Sequence, residues 1–405
     1  MYNISVLENG IRIVTEHMHS VRSVAIGAWL PVGTRYEQKK KMGMAHLLEH
    51  MLFKGTRQRT AYDIAVCLES LGGQLNGFTE RELTCIYAIV LEDNLDDAVD
   101  LLADLLLNSL FDPSHIETEK QIILEEIRNL QDSPEDLVQE YLLETVFGNH
   151  PLGFSALGSA RSVQSITRDE IHRFYKDYYT AGELVISAAG AVQHDMLTAR
   201  IQTALERWKA GPPAAPDPFR TSPPGEKAIS ASVSQSHIAM GSPLCGYGDP
   251  RKFHCILLNT YMGAGMSSHL FQVLREYQGL AYAVYSYLDF WSDTGLWTVY
   301  AGTSAENRQQ VIDTVRRALE RISGTGLAGN ELERLKQQIV RGLILGYEDP
   351  VRRMSRIAKM AHYRQPYLSI EQVSGLIQDL QNDALIETMK SLDIQNRLYL
   401  TVIEP

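Results

Sequence analysis

The chain has 405 residues, more than one hydrophobic core usually supports, so we expect two domains or one duplicated domain. With 44% hydrophobic and 21% charged residues, the composition excludes disordered, collagenous and disulfide-stapled classes of protein. The formal net charge of -11, from 38 basic and 49 acidic residues, argues against a nucleic-acid-binding surface and mildly favours cationic partners.

No targeting or membrane-spanning segment is visible in the sequence. The first ten residues contain neither a basic segment nor an apolar core, and the longest apolar stretches, such as 184–192, are too short to cross a bilayer. We therefore expect a cytoplasmic protein that does not insert into membranes. The cysteine spacing fits neither a C-x-x-C redox pair nor a four-thiolate zinc site, which predicts reduced thiols at Cys67, Cys85, Cys245 and Cys255.

The first predicted elements are two strands, at 11–15 and 24–30, and a helix at 42–53 that stops at Gly55. This helix carries His46, Glu49 and His50 in the pattern H-x-x-E-H. Histidines four residues apart lie above one another on a helix, and two imidazoles at that spacing can hold one metal ion. The alternative is a chance occurrence on a core helix, but burying these polar groups among leucines without a ligand would be costly.

A strand at 83–90 and a helix at 95–107 follow, and then a longer helix that begins near Asp112. Because catalytic zinc usually has three protein ligands, we expect a third ligand beyond His46 and His50, and the helix that begins near Asp112 is the best candidate to supply it. Glu126 shares the face of Glu119, Ile122, Ile123 and Leu130, whereas Glu125 does not. Periodicity therefore predicts that Glu126 points inward as a ligand and that Glu119, on the same face, orients a ligating histidine; the alternative is a merely solvated glutamate-rich helix.

Six of the chain's 15 prolines lie between Pro212 and Pro224, which predicts an extended linker. The segments on either side match at a constant offset of 213 residues, as in Leu83 with Leu296 and Tyr87 with Tyr300. An internal repeat is the interpretation, with chance similarity between two strand-helix segments as the alternative. We therefore predict domains at 1–211 and 226–405 joined by a linker at 212–225. Short strands in series before helices favour α+β halves with helices on one face of each sheet.

These motifs resemble those of a known family. H-L-L-E-H is the inverted zinc-peptidase motif, and with Glu126 lying 76 residues beyond His50 the chain resembles the pitrilysin, insulin-degrading enzyme and mitochondrial processing peptidase family, in its short-subunit branch. The resemblance covers nearly the whole chain and implies a zinc-dependent endopeptidase with one zinc ion per chain. By that resemblance His46, His50 and Glu126 ligate the zinc, Glu49 is the general base acting on the zinc-bound water, and Glu119 supports the site.

The resemblance also implies how peptide is bound. The segment 72–79, containing Asn76, is similar to the family's substrate-binding edge strand, although Gly77 stands where alanine is usual; an ordinary hairpin is the alternative. The second half lacks the metal motif, since His46 and His50 correspond to Asn259 and Gly263 at the repeat offset. It carries Arg275 and Tyr282 instead, similar to the family's substrate-binding arginine and tyrosine.

Further expectations concern partners and specificity. The family's two-subunit members imply a homodimer, or a heterodimer with a related subunit, in which Arg275 and Tyr282 act in trans on unfolded peptides or precursor segments. Asp136 and Glu140 match the acidic pair with which processing peptidases read an arginine; a solvated acidic turn is the alternative. Two other functions stay open, namely a non-catalytic partner subunit or scaffold and a zinc hydrolase acting on another substrate.

Overall fold

The computed structural model describes residues 1–70, 72–211 and 215–405, which form two compact units of mixed helix and sheet. Unit 1 comprises Met1–Ile127, Ser155–Asp217 and Gly346–Tyr367, and unit 2 comprises Arg128–Phe154, Pro218–Leu345 and Leu368–Pro405. The predicted α+β class is confirmed.

The secondary structure alternates between short strands and helices along the whole chain. The strands are β1 (Tyr2–Val6), β2 (Arg12–His17), β3 (Ser23–Leu30), β4 (Gln74–Thr79), β5 (Thr84–Leu91), β6 (Val185–Gly190), β7 (Glu226–Ser230), β8 (Ser236–Leu244), β9 (Ala281–Phe290), β10 (Gly295–Thr303) and β11 (Tyr399–Glu404). The α-helices are α1 (Met44–Leu52), α2 (Ala61–Glu69), α3 (Leu95–Asn108), α4 (Pro113–Gln131), α5 (Pro134–Phe147), α6 (Ala160–Ser165), α7 (Arg168–Tyr178), α8 (His194–Leu205), α9 (Lys252–Met262), α10 (Arg308–Thr325), α11 (Gly329–Gly346), α12 (Pro350–His362), α13 (Ile370–Gln378) and α14 (Asn382–Ser391).

Unit 1 is built on a six-stranded sheet in the order β1-β2-β6-β3-β5-β4. The strands β2 and β6 are parallel, and the other neighbours are antiparallel. The central strand β3 is buried along almost its whole length, as its apolar sequence requires. The strand β4 ends the sheet, so one of its sides is a free edge.

Unit 2 repeats this plan with a five-stranded sheet in the order β7-β11-β8-β10-β9. Its one parallel pair, β7 with β11, corresponds to β2 with β6 in unit 1. The repeat offset of 213 aligns the start of α3 at Leu95 with the start of α10 at Arg308, and Asn94 and Asn307 precede the two helices as N-caps. Apart from the additional edge strand β1 in unit 1, the two units therefore have the same strand order, as the predicted internal repeat requires.

Each sheet has helices on both faces, so the expectation of helices on one face is wrong. In unit 1 one face packs on α3 and α8, and the other is covered by α12, which comes from the second half of the sequence. Four of the buried side chains of α12 recur at helical spacing and pack in the cluster that covers β3 and β6: Met354, Ile357, Ala358 and Ala361. In unit 2 the helix α5, from the first half of the sequence, packs on β8 and β11.

The contiguous domains predicted at 1–211 and 226–405 therefore need correction, because two segments, 128–154 and 346–367, belong to the unit built mainly from the other half. Of the predicted linker at 212–225, Pro212 and Pro213 lie outside the described residues. The described part, 215–225, contains no helix or strand, and the chain passes from unit 1 to unit 2 between Asp217 and Pro218.

Two further expectations can be compared with the fold. All four cysteines are free, as predicted. Among the described residues, no helix combines the length and the apolar character needed to span a membrane.

Candidate metal centre

The helix α1 is held at its N-terminus by a buried carboxylate. Gly43 precedes it with a φ of 88°, and a side chain there would clash with the backbone of Leu157. The two oxygens of Glu37 accept hydrogen bonds from the backbone N–H groups of Gly43 and Ala45, at 2.8 and 2.7 Å. These donors have no partner inside the helix, so Glu37 satisfies them and fixes the direction in which α1 leaves the loop. Glu37 was not among the predicted site residues.

His46 and His50 lie on one face of α1, with their ring centroids 4.5 Å apart. Glu126 reaches the same point from α4. Its Oε2 lies 3.8 Å from Nε2 of His46, and its Oε1 lies 3.9 Å from Nε2 of His50. One ligand atom from each residue lies within 4.8 Å of the other two. The structure therefore brings together the three residues that the sequence predicted as ligands.

The chemistry of this cluster fits a zinc ion. Two imidazole nitrogens and a carboxylate oxygen are a common ligand set of catalytic zinc. The buried Oε2 of Glu126 has no hydrogen-bond partner among the described residues, as expected of an atom that faces a cation. Burial lowers the pKa of His46 to about 4, with His50 contributing, so the imidazole of His46 is neutral at physiological pH. Neutral imidazole is the form that ligates a metal.

Glu119 contacts His50 on the side away from Glu126. Its Oε2 lies 3.0 Å from Nδ1 of His50, and its Oε1 lies 2.8 Å from Nζ of Lys54. Glu119 is only 3% exposed, so its charge requires these partners. The contact places the predicted supporting glutamate against the ring of His50. Lys54 was missed, because a lysine just past the end of a helix gives no sequence signal of a partner.

Glu49 lies beside the cluster and against the edge strand β4. Its Oε2 accepts a hydrogen bond of 3.2 Å from Oγ1 of Thr79, and its Oε1 is directed toward Gly77, where an added Cβ would lie 2.8 Å away. Burial raises the pKa of the Glu49 carboxyl group above its ordinary value, while His50 and Thr79 oppose the shift. The group can therefore exchange a proton near the metal cluster. Thr79 was not among the predicted site residues.

Asn76 lies in the middle of β4 and is exposed. Its Oδ1 accepts a hydrogen bond of 2.8 Å from the backbone N–H of Gly77. The N–H of Glu80 bonds to the carbonyl of Leu83 in the turn that follows, and antiparallel pairs alternate between bonded and unbonded, so the backbone groups of Gly77 face the free edge. β4 and β5 thus form a hairpin whose outer strand has a free edge, and peptide binding at this edge stays a prediction.

Arg275 and Tyr282 lie in unit 2. Arg275 belongs to a π-helical segment, Phe271–Tyr277, and Tyr282 is the second residue of β9. The guanidinium of Arg275 stacks over the rings of Phe271 and Tyr282, at 4.8 and 5.1 Å. Tyr282 is 78% exposed, so its hydroxyl is accessible. The structure brings this predicted pair into contact with each other.

Asp136 and Glu140 also lie in unit 2, one turn apart on α5. Asp136 is exposed and accepts a hydrogen bond of 2.6 Å from the hydroxyl of Ser133 at the start of the helix. The neighbouring Glu135 is bound to the hydroxyl of Tyr285 at 2.9 Å and is structural. Asp136 is therefore accessible and Glu140 is half-buried. The specificity role of the pair stays a prediction.

Comparisons with known proteins identify relatives of this chain. A sequence profile described as insulinase, peptidase family M16, matches residues 12–160, and one described as the peptidase M16 inactive domain matches residues 165–339. A protein of Bacillus subtilis named as a zinc protease is 38% identical over 87% of this chain and 86% of its own length. One of Streptomyces coelicolor, also named as a zinc protease, is 37% identical over 98% of this chain and 88% of its own length.

Solved structures show the same fold. A peptidase M16 inactive domain from Pseudomonas fluorescens superposes with a TM-score of 0.92 at 19% identity, and covers 100% of this chain and 98% of its own. A protease from Helicobacter pylori gives a TM-score of 0.92 at 19% identity, with 100% and 99% covered.

Proposed function

The chain belongs to the insulinase family of zinc peptidases, peptidase family M16, and we propose that it is an endopeptidase that hydrolyses unfolded peptides or precursor segments. Zinc is its cofactor. One observation carries the proposal: the Glu49 carboxylate lies against an edge strand and beside the convergent group of His46, His50 and Glu126. A base, a metal site and a peptide-binding edge are the components that peptide-bond hydrolysis requires.

In this proposal His46, His50 and Glu126 hold the zinc. The bound ion supplies Lewis-acid chemistry, polarising the scissile carbonyl and lowering the pKa of the attacking water. Glu49 takes the proton from that water and later delivers it to the leaving amine, because its carboxylate is not used as a ligand. Glu119 keeps Nδ1 of His50 hydrogen-bonded, so that Nε2 is left for the metal.

The peptide binds in extended form along β4. Main-chain hydrogen bonds to a free sheet edge give affinity with little sequence preference, which suits unfolded substrates. The backbone groups of Gly77 face this edge, and the side chain of Asn76 already accepts from its N–H. We propose that Asn76 exchanges this contact for one with the substrate backbone.

Arg275 and Tyr282 are proposed to bind the substrate as well. A guanidinium and a phenol can hydrogen-bond a peptide carbonyl and the oxyanion that develops on attack. Stacking on two rings limits the freedom of Arg275, and its Nε also lies 3.9 Å from Oε1 of Glu276. Asp136 and Glu140 are proposed to favour substrates with an arginine near the cleavage point.

The test compares the wild type with Glu49→Gln. We expect about one zinc per chain in both proteins, and a kcat for peptides at least about 100-fold lower in the variant. Glu92→Gln, which replaces an exposed glutamate of unit 1, is the matched control and should match the wild type. Digestion of a proteome-derived peptide library then distinguishes internal from terminal cleavage.

The rival function, a non-catalytic partner subunit or scaffold, predicts a different result. Such a protein would bind zinc without cleaving any peptide of the library. Unchanged cleavage by Glu49→Gln would instead show that the assigned chemistry is wrong.

A further inference from the structure

The proposed general base, Glu49, accepts a hydrogen bond from the edge strand β4. Thr79 is the last residue of β4, and its hydroxyl lies 3.2 Å from Oε2 of Glu49. From this contact we infer that Thr79 is a positioning residue, which holds the Glu49 carboxylate in the orientation that accepts a proton. The inference rests on the proposed function and adds to it a residue outside the predicted site.

The contact is favoured by the geometry of β4. Residues two apart on a strand point to the same face, so Gly77 and Thr79 both face α1. At Gly77 there is no side chain, and Oε1 of Glu49 fills the space that a Cβ would need. Oε2 of the carboxylate therefore has a donor at Thr79, and Oε1 lies against the strand at Gly77.

This arrangement restricts a side chain that would otherwise rotate. A glutamate has three rotatable bonds, and its rotamers differ little in energy when nothing holds the carboxylate. Glu49 is only 7% exposed, so few water molecules can replace the hydroxyl of Thr79. Loss of that hydroxyl would leave Oε2 without a fixed partner and would spread Glu49 over orientations that do not reach the attacking water.

The contact also connects substrate binding to the base. The backbone of residues 77 and 79 faces the free edge, where a peptide would pair, while their side-chain positions face Glu49. A peptide paired with β4 would therefore contact the backbone of residues 77 and 79, while among the described residues the hydroxyl of Thr79 contacts only the base. The effect of losing the hydroxyl should consequently fall on kcat and not on KM.

The experiment uses Thr79→Val, which keeps the shape and removes the hydroxyl, and Thr79→Ser, which restores it. We expect Thr79→Val to lower kcat about tenfold with KM changed by less than about twofold, as for loss of a hydrogen bond to a charged group. Thr79→Ser should recover kcat to within about threefold of wild type. Zinc content should be equal in all of these proteins.

The matched control is Thr84→Val in the same hairpin. Thr84 pairs with Thr79 across the two strands, but its hydroxyl donates to the carbonyl of Val32. If the hairpin's stability were the cause, Thr84→Val would lower kcat as much as Thr79→Val does. That result, or an unchanged kcat in Thr79→Val, would overturn the inference.

Crystal structures of the wild type and Thr79→Val give a second readout that needs no turnover. We expect one orientation of Glu49 in the wild type and a displaced or multiple orientation in the variant. A wild type that cleaves no peptide would refute the proposed function, whereas an unmoved Glu49 in Thr79→Val would refute the positioning role alone.

Discussion

Nδ1 of His50 lies 3.0 Å from Oε2 of Glu119, and this contact determines how the imidazole can bind a metal. With Nδ1 occupied as a donor, Nε2 is the nitrogen left for the ion, and it is the one that faces Glu126. The other oxygen of Glu119 is paired with Lys54 at 2.8 Å, so the buried carboxylate is held from two sides.

We predict that Glu119→Gln weakens zinc binding about 10-fold to 100-fold, the usual cost of losing a carboxylate partner of a ligating histidine. The affinity is measured by competition with a chromogenic chelator. Glu117→Gln on the same helix is the control, because Glu117 is exposed and its carboxylate pairs with Lys120. Equal affinities in wild type and Glu119→Gln would exclude the role of Glu119.

Much of this site could be predicted from the sequence, because helical periodicity determines which residues share a face. The spacing of His46 and His50 and the choice of Glu126 over Glu125 follow from the helical repeat alone. Lys54 and Thr79 could not be found in this way. Their roles depend on distances between elements that are 65 and 30 residues apart in sequence, Lys54 to Glu119 and Thr79 to Glu49, and no local pattern encodes them.

The exchange of α5 and α12 between the two halves could not be predicted from the sequence either. Each helix has an apolar stripe. A stripe predicts that the helix packs against a buried surface, but it does not identify which of the two sheets provides that surface. The duplication adds to this ambiguity, since the five strands of the second sheet follow the same order as five of the six strands of the first. Only the contacts of Met354 and Ile357 with the first sheet's cluster, and of Val138 and Leu142 with the second's, resolve it.

The acidic pair on α5 gives a prediction about specificity. Asp136→Asn combined with Glu140→Gln should lower kcat/KM about threefold to tenfold for peptides with an arginine near the cleavage point, because exposed ion pairs are weak individually. Neutral peptides should be cleaved as before. Asp132→Asn, an exposed change just before the helix, is the control. Equal losses on both classes of peptide would contradict the prediction.

A complementation experiment tests whether Arg275 and Tyr282 act in trans in a dimer. Glu49→Gln lacks the base, and Arg275→Ala lacks the substrate-binding guanidinium. If the residues act across a homodimer, mixing the two inactive variants should restore about a quarter of the wild-type activity per chain, since half of the dimers are mixed and each has one intact site. Mixtures that stay inactive, together with a wild type that keeps full activity as a monomer at high dilution, would refute the proposal.

The last prediction concerns His362, at the end of α12 in unit 1. Burial, together with the charges of Arg12, Lys359 and Arg364, lowers the pKa of His362 to about 3. In the unfolded chain a histidine has a pKa of about 6.5, so as the pH falls below that value the unfolded state takes up a proton that the folded state does not. The contribution of neutral His362 to the free energy of unfolding is therefore fully present above about pH 6.5 and is lost progressively as the pH falls.

Replacing His362 by Gln removes this titration, so the variant should lose less stability on acidification than the wild type. Between about pH 7 and about pH 5 the difference should reach roughly 1–2 kcal/mol in the free energy of unfolding. Urea denaturation of the zinc-free proteins at both pH values measures it, because the titration of the metal-binding histidines is common to both and cancels. His19→Gln, which replaces an exposed histidine of the same unit, is the control and should keep the wild-type pH dependence. An identical acid loss in wild type and His362→Gln would show that His362 also takes up a proton in the folded protein, so that neither burial nor the surrounding cations keep it neutral.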